Sequence, residues 1–291
     1  MDKKSNYFMI ATLCLALLSA SIGLFYKGTT HMQTVTSIHG VEVELYGRGA
    51  YPYMSILRAG TYIATDIIVL FIVVMLSLLL LLFKKDHLIK RYILTASFMF
   101  ILYYSISLSF GSPLYHFFLL YIALFFVASI TFYQHIKKIL QEDISPNIQH
   151  ITFKKTSYFL MIAACSSLIW LSLLIPAMIQ NDYSLVVDLN TTEPTFVLDI
   201  GYIFPLFLCT GLALLKGKKI GYQLTPVLLI FYMLVGFLVI SQTIVQKQLG
   251  VEITIQELIV LVLSFASLGL ISGIINYRFI KKIYVNEELS I

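Results

Sequence analysis

The run of residues 61–83 is almost entirely apolar, and Asp66 is the only charged side chain within it. About 20 apolar residues are enough to cross the hydrocarbon core of a bilayer as a helix. A helix is expected because the backbone must satisfy its own hydrogen bonds there. A carboxylate inside such a segment is costly, so Asp66 is a candidate functional residue by default.

Seven further apolar runs follow the same pattern, and 59% of the 291 residues are hydrophobic while only 12% are charged. A soluble domain has roughly 25% charged residues. The sequence therefore predicts an all-α membrane protein with eight transmembrane helices. The predicted spans are 7–26, 61–83, 92–110, 117–136, 158–178, 198–215, 222–243 and 258–277. None of the three cysteines forms a CxxC pair, so no disulfide framework, metal site or other cofactor is predicted.

The basic residues predict the orientation of the spans. Sixteen of the 20 Lys and Arg residues fall on one side, and four fall on the other: Lys27, Arg48, Arg58 and Lys247. Basic residues accumulate on the cytoplasmic side. Both termini are therefore predicted to be cytoplasmic, with Gly40 and Asp188 outside and Asp143 inside. This topology accounts for the net charge of +5, so no nucleic-acid partner is predicted. The composition suits a low-GC bacterium and hence a multi-pass protein of the cytoplasmic membrane.

Residues 27–60 form the one long external loop. Segments 32–38 and 41–46 alternate polar and apolar residues around a His-Gly pair, which predicts a small external β-hairpin. The tyrosines of the YPY motif at 51–53 suit a collar at the membrane interface. Residues 186–189 resemble the second strand and are expected to extend the hairpin.

Four pairs of similar segments indicate an internal duplication. They are KKSNYF at 3–8 and KKTSYF at 154–159, TDIIVLF at 65–71 and LDIGYIF at 198–204, YILT at 92–95 and YQLT at 222–225, and YQHIKKI at 133–139 and YRFIKKI at 277–283. Convergence is the alternative, because inner helix ends attract Lys and Tyr. A signal peptide in place of the first span is disfavoured, because the repeat needs that span. The order of the pairs predicts two parallel four-helix repeats, 1–140 and 141–291, related by a pseudo-twofold axis along the membrane normal.

The duplication pairs Asp66 with Asp199. Asp66 lies 18 residues before Lys84 and Asp199 lies 17 before Lys216, which puts both about 25 Å from the cytoplasmic helix ends. The two acids are expected to face each other across a cavity open to the outside. A cation must then reduce their mutual repulsion. The candidates are Arg48, Arg58 or a substrate, and Glu44 of the external loop joins the candidate site.

Two other interpretations of the acids remain open at this stage. Each acid lies near the predicted start of a helix, where a carboxylate caps free amides. A zinc site shared with the external histidines is a further alternative, but no HExxH or similar ligand spacing supports it.

The motif ELYGRGAYPY at 44–53, together with VLDIGYIFPLFL at 197–208 and GYQLTPVLL at 221–229, resembles a family of bacterial polytopic membrane proteins. The resemblance covers both halves of the chain, and no activity is attached to the family. It therefore implies the architecture and nothing about a reaction or a ligand.

Three functions are compatible with these features. The first is a transporter or permease for a small solute or ion, with an outer-leaflet site built from Asp66, Asp199 and Arg48. The second is a non-catalytic sensor, immunity factor or subunit that binds a membrane-protein partner through its external loop. The third is an intramembrane enzyme, but the sequence has no nucleophile, phosphate-binding or dinucleotide motif. The expected partners are therefore a small solute or cation, or a membrane protein, and in every case the lipid bilayer.

Overall fold

The computed structural model describes residues 3–31, 33–83, 85–143 and 151–288. Met32 of the predicted hairpin and Lys84 of the predicted inner loop lie outside the described residues. Within the described part of the chain, eight helices are long and apolar enough to cross a membrane. The prediction of a largely helical protein with eight helices of membrane-spanning length and apolar character is thereby confirmed.

The eight spans differ in regularity. The first four are single α-helices, Lys3–Phe25, Ile56–Leu82, Leu88–Gly111 and Phe118–Gln141. The fifth joins the α-helix Lys154–Ser166, the 3-10 helix Ser167–Trp170 and the α-helix Leu171–Gln180. The sixth joins the α-helix Pro194–Leu198, the π-helix Asp199–Ile203 and the α-helix Phe204–Leu215. The seventh is the α-helix Lys219–Gln248, and the eighth joins Ile255–Glu257, the π-helix Leu258–Leu263 and the α-helix Ser264–Glu288.

The second span begins earlier than predicted, at Ile56 instead of residue 61. Its N-cap is Ser55, whose side-chain oxygen accepts a hydrogen bond from the backbone amide of Arg58 at 3.4 Å. The apolar pattern excluded Arg58, yet the helix includes it because its guanidinium has acidic partners on a neighbouring loop. Asp66 therefore lies ten residues inside the helix.

The third and seventh spans are the most buried and form the centre of the bundle. Phe100 of the third span contacts Phe231 of the seventh, with ring centroids 6.2 Å apart. The seventh span also packs closely against the eighth, where a Cβ atom on Gly236 would lie 2.9 Å from the Cα atom of Gly269. Glycine at both positions lets the two backbones approach each other.

The spans pack in related pairs in the two halves. The first span packs on the second and the third on the fourth, as the fifth packs on the sixth and the seventh on the eighth. Asp66 and Asp199 both lie 16 residues before the last residue of their spans, Leu82 and Leu215. This similarity agrees with a duplication, while the repeat and its pseudo-twofold axis stay predictions.

The predicted hairpin is confirmed. Strands β1, Thr34–Thr36, and β2, Glu42–Glu44, pair antiparallel with Val35 opposite Val43. Gly40 in the turn has a φ of +77°, a conformation that glycine adopts without steric cost. The expected third strand at 186–189 is wrong, because the described residues contain a two-stranded sheet and Asp188 binds Arg58 instead.

The loops predicted to lie outside meet at one end of the bundle, called the outer end here. The side-chain amide of Asn190, in the loop after the fifth span, donates a 2.9 Å hydrogen bond to the carbonyl oxygen of Gly111 at the end of the third span. The loops predicted to lie inside meet at the opposite, inner end, where Lys219 forms a 2.8 Å ion pair with Asp143. The grouping of the loops agrees with the predicted topology, whose direction across a membrane stays a prediction.

Candidate functional site

Asp66 lies in a fully enclosed polar cluster between the first, second and third spans, and its exposed fraction is 0%. The hydroxyl group of Tyr51 donates to its Oδ2 atom at 2.7 Å, and the hydroxyl group of Tyr104 donates to its Oδ1 atom at 2.5 Å. The Tyr104 hydroxyl also shares a 3.0 Å hydrogen bond with Ser19 of the first span. Both carboxylate oxygens therefore have a donor.

Gly23 makes room for this cluster. A Cβ atom at that position would lie 1.8 Å from Oδ2 of Asp66 and 2.9 Å from the hydroxyl oxygen of Tyr51. Only a residue without a side chain lets the first span approach the carboxylate this closely. The glycine at position 23 of the first span is therefore required for Asp66 of the second span to be buried against it.

Asp199 lies in a second cluster, formed by the fifth, sixth and third spans. Nε1 of Trp170 donates to its Oδ2 atom at 2.7 Å, and the hydroxyl group of Tyr103 donates to its Oδ1 atom at 3.0 Å. Unlike Asp66, Asp199 is partly exposed. It begins a π-helical segment, and Trp170 ends a 3-10 segment. Such departures from regular α-helix are frequent at functional sites and hinges.

The third span separates the two acids. Tyr103 and Tyr104 are consecutive residues, and consecutive side chains of an α-helix point about 100° apart. Because one of them binds Asp199 and the other binds Asp66, the carboxylates lie on different sides of the helix. The expectation that the acids face each other across an open cavity is therefore wrong.

Neither acid caps the N-terminus of its span, so the capping interpretation is also wrong. The second span is capped by Ser55, and the sixth span is capped by Glu193, whose side chain accepts a 3.3 Å hydrogen bond from the amide of Thr195. The apolar patterns place both helix starts too close to the acids, because each first turn contains a polar residue, Arg58 in the second span and Thr195 in the sixth.

Arg58 does not neutralise either acid. Its guanidinium pairs with Asp188, at 3.1 Å from Nε, and with Glu193. A third hydrogen bond of 3.4 Å reaches the carbonyl oxygen of Gly111. Ser55 also donates to Asp188. These contacts join the second, third and sixth spans at the outer end, so Arg58 has a structural role there.

The other two predicted site residues lie on the hairpin loop, apart from the acids. Arg48 is exposed and places its guanidinium 5.0 Å from the ring centre of Tyr46. Glu44 is exposed and occupies the last position of β2, opposite Thr34. The predicted set Asp66, Asp199, Arg48, Arg58 and Glu44 is thus not brought together as one site.

No Lys, Arg or His side chain forms an ion pair with Asp66 or Asp199 among the described residues. An ionised carboxylate in apolar surroundings without a cation is strongly disfavoured. Burial raises the pKa of Tyr51 well above its usual value, and an ionised Asp66 would raise it further. Tyr51 therefore keeps its proton and stays a hydrogen-bond donor to the acid.

A groove of about 450 Å³ lies at the outer end and includes neither acid in its lining. Its walls include Val35 of the hairpin, Phe110 at the end of the third span and Asn190 of the loop after the fifth span. Within the described part of the chain, no group of three or more His, Cys, Asp or Glu side chains is arranged to hold a metal ion.

The residues that bind the acids were not predicted from the sequence. Tyr51 was assigned to an interface collar, yet it is buried against Asp66. Two features of the sequence stand out in retrospect. Trp170 is the only tryptophan of the chain, and Tyr103 and Tyr104 form a tyrosine pair in an apolar span.

No family model, curated protein or solved structure shows significant similarity to this chain. Membership of the family with the ELYGRG-type motif therefore stays a prediction.

Proposed function

We propose that this chain is a proton-coupled transporter or permease for a small solute or ion in the cytoplasmic membrane, and that Asp66 and Asp199 bind the coupling proton. The observation that carries the proposal is the full burial of Asp66 in a membrane span without a cationic partner among the described residues. Ionisable residues in membrane spans commonly mark ion pathways and proton relays.

The surroundings of Asp66 suit reversible proton binding. Apolar burial favours the neutral acid, while the two tyrosine hydroxyls stabilise the carboxylate by donating to it. Opposing effects of this kind let a small change in the surroundings change the protonation state. A cation brought by the substrate is the second way to compensate the charge.

Asp199 supplies the more accessible of the two proton sites. It is less enclosed than Asp66, and the non-α segments around it are typical of hinges and functional sites. Tyr103 and Tyr104 connect the two acids through one rigid helix, because each donates to one of them. A displacement of the third span would alter both hydrogen bonds together.

The tryptophan content of the chain offers a direct test. Trp170 is the only tryptophan and donates its indole N–H to Asp199, so selective tryptophan emission reports on that carboxylate. We expect the emission of the purified protein to titrate with pH in the wild type and to become flat in Asp199→Asn. Asp182→Asn is the control, since Asp182 is exposed and its carboxylate accepts hydrogen bonds only from Ser184 among the described residues. An unchanged titration in Asp199→Asn would refute proton binding at this site.

Proton movement itself is measured in proteoliposomes that contain a pH-sensitive dye, with a potassium diffusion potential as the driving force. We expect the wild type and Asp182→Asn to move protons and Asp66→Asn and Asp199→Asn to be inactive. Equal rates in all four proteins would reject the proposed function. A solute screen with the active protein would then identify the transported class.

One observation favours a second function, binding of a membrane-protein partner through the hairpin. The tip of the hairpin exposes two nearby apolar side chains, Ile38 at 70% and Val41 at 44%, and exposed apolar surface of this kind can serve as a contact for a partner. Such a surface suits the sensor, immunity-factor or subunit role. Site-specific photocrosslinking in cells from position 38, compared with the polar position 36, tests it, and equal yields at both would argue against the partner.

A further inference from the structure

Glu193, at the start of the sixth span, connects the outer ion pairs with the cluster around Asp199. Its two carboxylate oxygens have different partners. Oε2 pairs with the guanidinium of Arg58, whereas Oε1 accepts hydrogen bonds from the hydroxyl group of Thr195 at 3.0 Å and from the amide of Thr195 at 3.3 Å. A carboxyl group carries its proton on one oxygen, so Oε1 can take up a proton while Oε2 stays in contact with Arg58.

Side-chain hydroxyl groups continue from Glu193 toward Asp199. Thr195 is also a hydrogen-bonding partner of the Tyr103 hydroxyl group on the third span. Tyr103 in turn donates to Oδ1 of Asp199 at 3.0 Å. A hydroxyl group both donates and accepts, so Thr195 and Tyr103 can each accept one proton and pass another on. The two acids are therefore joined by a continuous series of hydrogen-bonding groups.

The outer end of this series reaches the groove at the outer end of the bundle. Glu193 directly follows Thr192, which lines the groove, and the side chain of Glu193 is 20% exposed. Its partner Arg58 donates to the carbonyl oxygen of Gly111, another residue of the groove wall. Glu193 is therefore the member of the series that lies next to the outer solvent.

The charges around the two acids favour a proton on Asp199 over a proton on Glu193. The guanidinium of Arg58 stabilises the carboxylate form of Glu193. Asp199 has no cationic partner among the described residues, and the negative charge of Glu193 opposes a second one on Asp199. Asp188, which shares the same guanidinium, and the hydroxyl group of Tyr62 also lie near Glu193. A proton that reaches Glu193 therefore moves to Asp199 with a gain in free energy.

We propose that Glu193 takes up protons from the outer solvent and passes them to Asp199 through two side-chain hydroxyl groups. The hydroxyl groups are those of Thr195 and Tyr103. The inference rests on the proposed function and names the outer entrance of its proton path.

The transfer conserves protons and charge. A proton from water binds Oε1 of Glu193, and Glu193 gives it to Oγ1 of Thr195. Thr195 gives its own hydroxyl proton to the oxygen of Tyr103, and Tyr103 gives its own to Oδ1 of Asp199. One O–H bond thus breaks on Glu193 and one forms on Asp199, while both hydroxyl groups end neutral with their protons reoriented.

The test measures how fast Asp199 gains a proton after a light-induced fall in pH from a caged proton, with the emission of Trp170 as the readout. Removal of a positioned proton-transfer group typically costs about 100-fold in rate. We expect Thr195→Val, which replaces the hydroxyl group by a methyl group of similar size, to slow the emission change about 100-fold. Thr195→Ser should keep the wild-type rate, because it keeps the hydroxyl group. Thr243→Val is the control, since the hydroxyl group of Thr243 bonds to the carbonyl oxygen of Val239 on its own helix.

Equilibrium titration of the same emission separates proton transfer from proton binding. We expect Thr195→Val to titrate over the wild-type pH range, because the hydrogen bonds to Asp199 come from Trp170 and Tyr103. Glu193→Gln is the second variant. Its amide oxygen still accepts the hydrogen bonds at the start of the sixth span but takes up no proton, so the emission change should again be slow.

The outcomes separate the entrance from the proposed function. A wild-type rate in either folded variant, Thr195→Val or Glu193→Gln, with a flat titration in Asp199→Asn, would overturn the entrance and leave the proposed function standing. A titration that persists unchanged in Asp199→Asn would overturn both. If one of the two variants fails to fold, the other decides alone. A slow change in Thr195→Val, with the wild-type rate in Thr195→Ser and Thr243→Val, supports the inference.

Discussion

Replacement of Gly23 by alanine tests the geometry of the Asp66 cluster. The new Cβ atom would lie 1.8 Å from Oδ2 of Asp66, although real Cβ contacts essentially never fall below 3.0 Å. The carboxylate must therefore move by about 1 Å or more, or the first span must move away. Either movement breaks the hydrogen bond from Tyr51, which is 2.7 Å long, and strains the one from Tyr104.

The cost follows from these contacts. Overpacking of a well-packed interior costs about 1–3 kcal/mol, and each lost hydrogen bond adds about 0.5–1.5 kcal/mol if the acid is neutral. Alanine is about 1 kcal/mol better than glycine within a helix, which offsets part of the loss. The expected net destabilisation is about 1–4 kcal/mol. At about 2–4 °C per kcal/mol, the melting temperature falls by roughly 2–16 °C.

The assay is thermal unfolding of the purified protein in detergent, followed by circular dichroism. Gly201→Ala is the matched control, because a Cβ atom there meets nothing within 4 Å. We expect that variant to melt at or slightly above the wild-type temperature. The double variant Gly23→Ala/Asp66→Ala should be more stable than the sum of the two single effects, since removal of the carboxylate removes the clash. A wild-type melting temperature for Gly23→Ala, or strict additivity, would refute the reasoning.

Three further predictions concern the two ends of the bundle. Arg58→Gln should destabilise the protein by about 2–3 kcal/mol, because it leaves the two partly buried carboxylates of Asp188 and Glu193 unpaired. In the same unfolding assay, substitution of the exposed Arg48 by Gln should change the stability little. Gly40→Cys should react with an impermeant thiol reagent in intact cells, and failure to react would contradict the predicted orientation. Hydrogen bonds from Arg91 lower the pKa of Asp86. The Asp86–Arg91 pair therefore stabilises the protein fully at pH values above the unfolded-state pKa of Asp86, which is about 4. This stabilisation is lost as the pH falls through the lower pKa of the folded state. The melting temperature of Asp86→Asn should therefore fall less at acid pH than that of the wild type.

The architecture could be predicted from the sequence because a bilayer imposes simple rules. Long apolar runs predict the spans, and the alternation around Gly40 predicts the hairpin. The structure starts the second and sixth spans earlier than predicted, because a polar residue in each first turn, Arg58 or Thr195, interrupts the apolar pattern. Arg58 is tolerated at the start of a span only because Asp188 and Glu193, far away in sequence, supply the opposite charge.

Of the candidate site, only the two acids, Asp66 and Asp199, could be predicted from the sequence. A carboxylate in an apolar run is conspicuous, but its partners come from other spans and depend on helix rotation. Tyr51 and Tyr104 carry the same residue type as the exposed Tyr133, so type alone cannot separate ligands of the acid from interface residues. The role of Gly23 is visible only once two spans are placed side by side.

The two acids lie at similar depth but in different surroundings, and under the proposed function this difference predicts different parts for them. Asp66 is in a regular α-helix with a donor on each oxygen and no exposure, so its proton leaves only when the cluster opens. Asp199 begins a π-helical segment and is less enclosed than Asp66, so under the proposed function we expect its proton to exchange first. Loss of a proton from Asp199 strengthens the bonds from Trp170 and Tyr103, because hydrogen bonds to charged acceptors are stronger. A stronger hydrogen bond from Tyr103 to Asp199 would displace the third span, and this displacement would change the hydrogen bond from Tyr104 to Asp66.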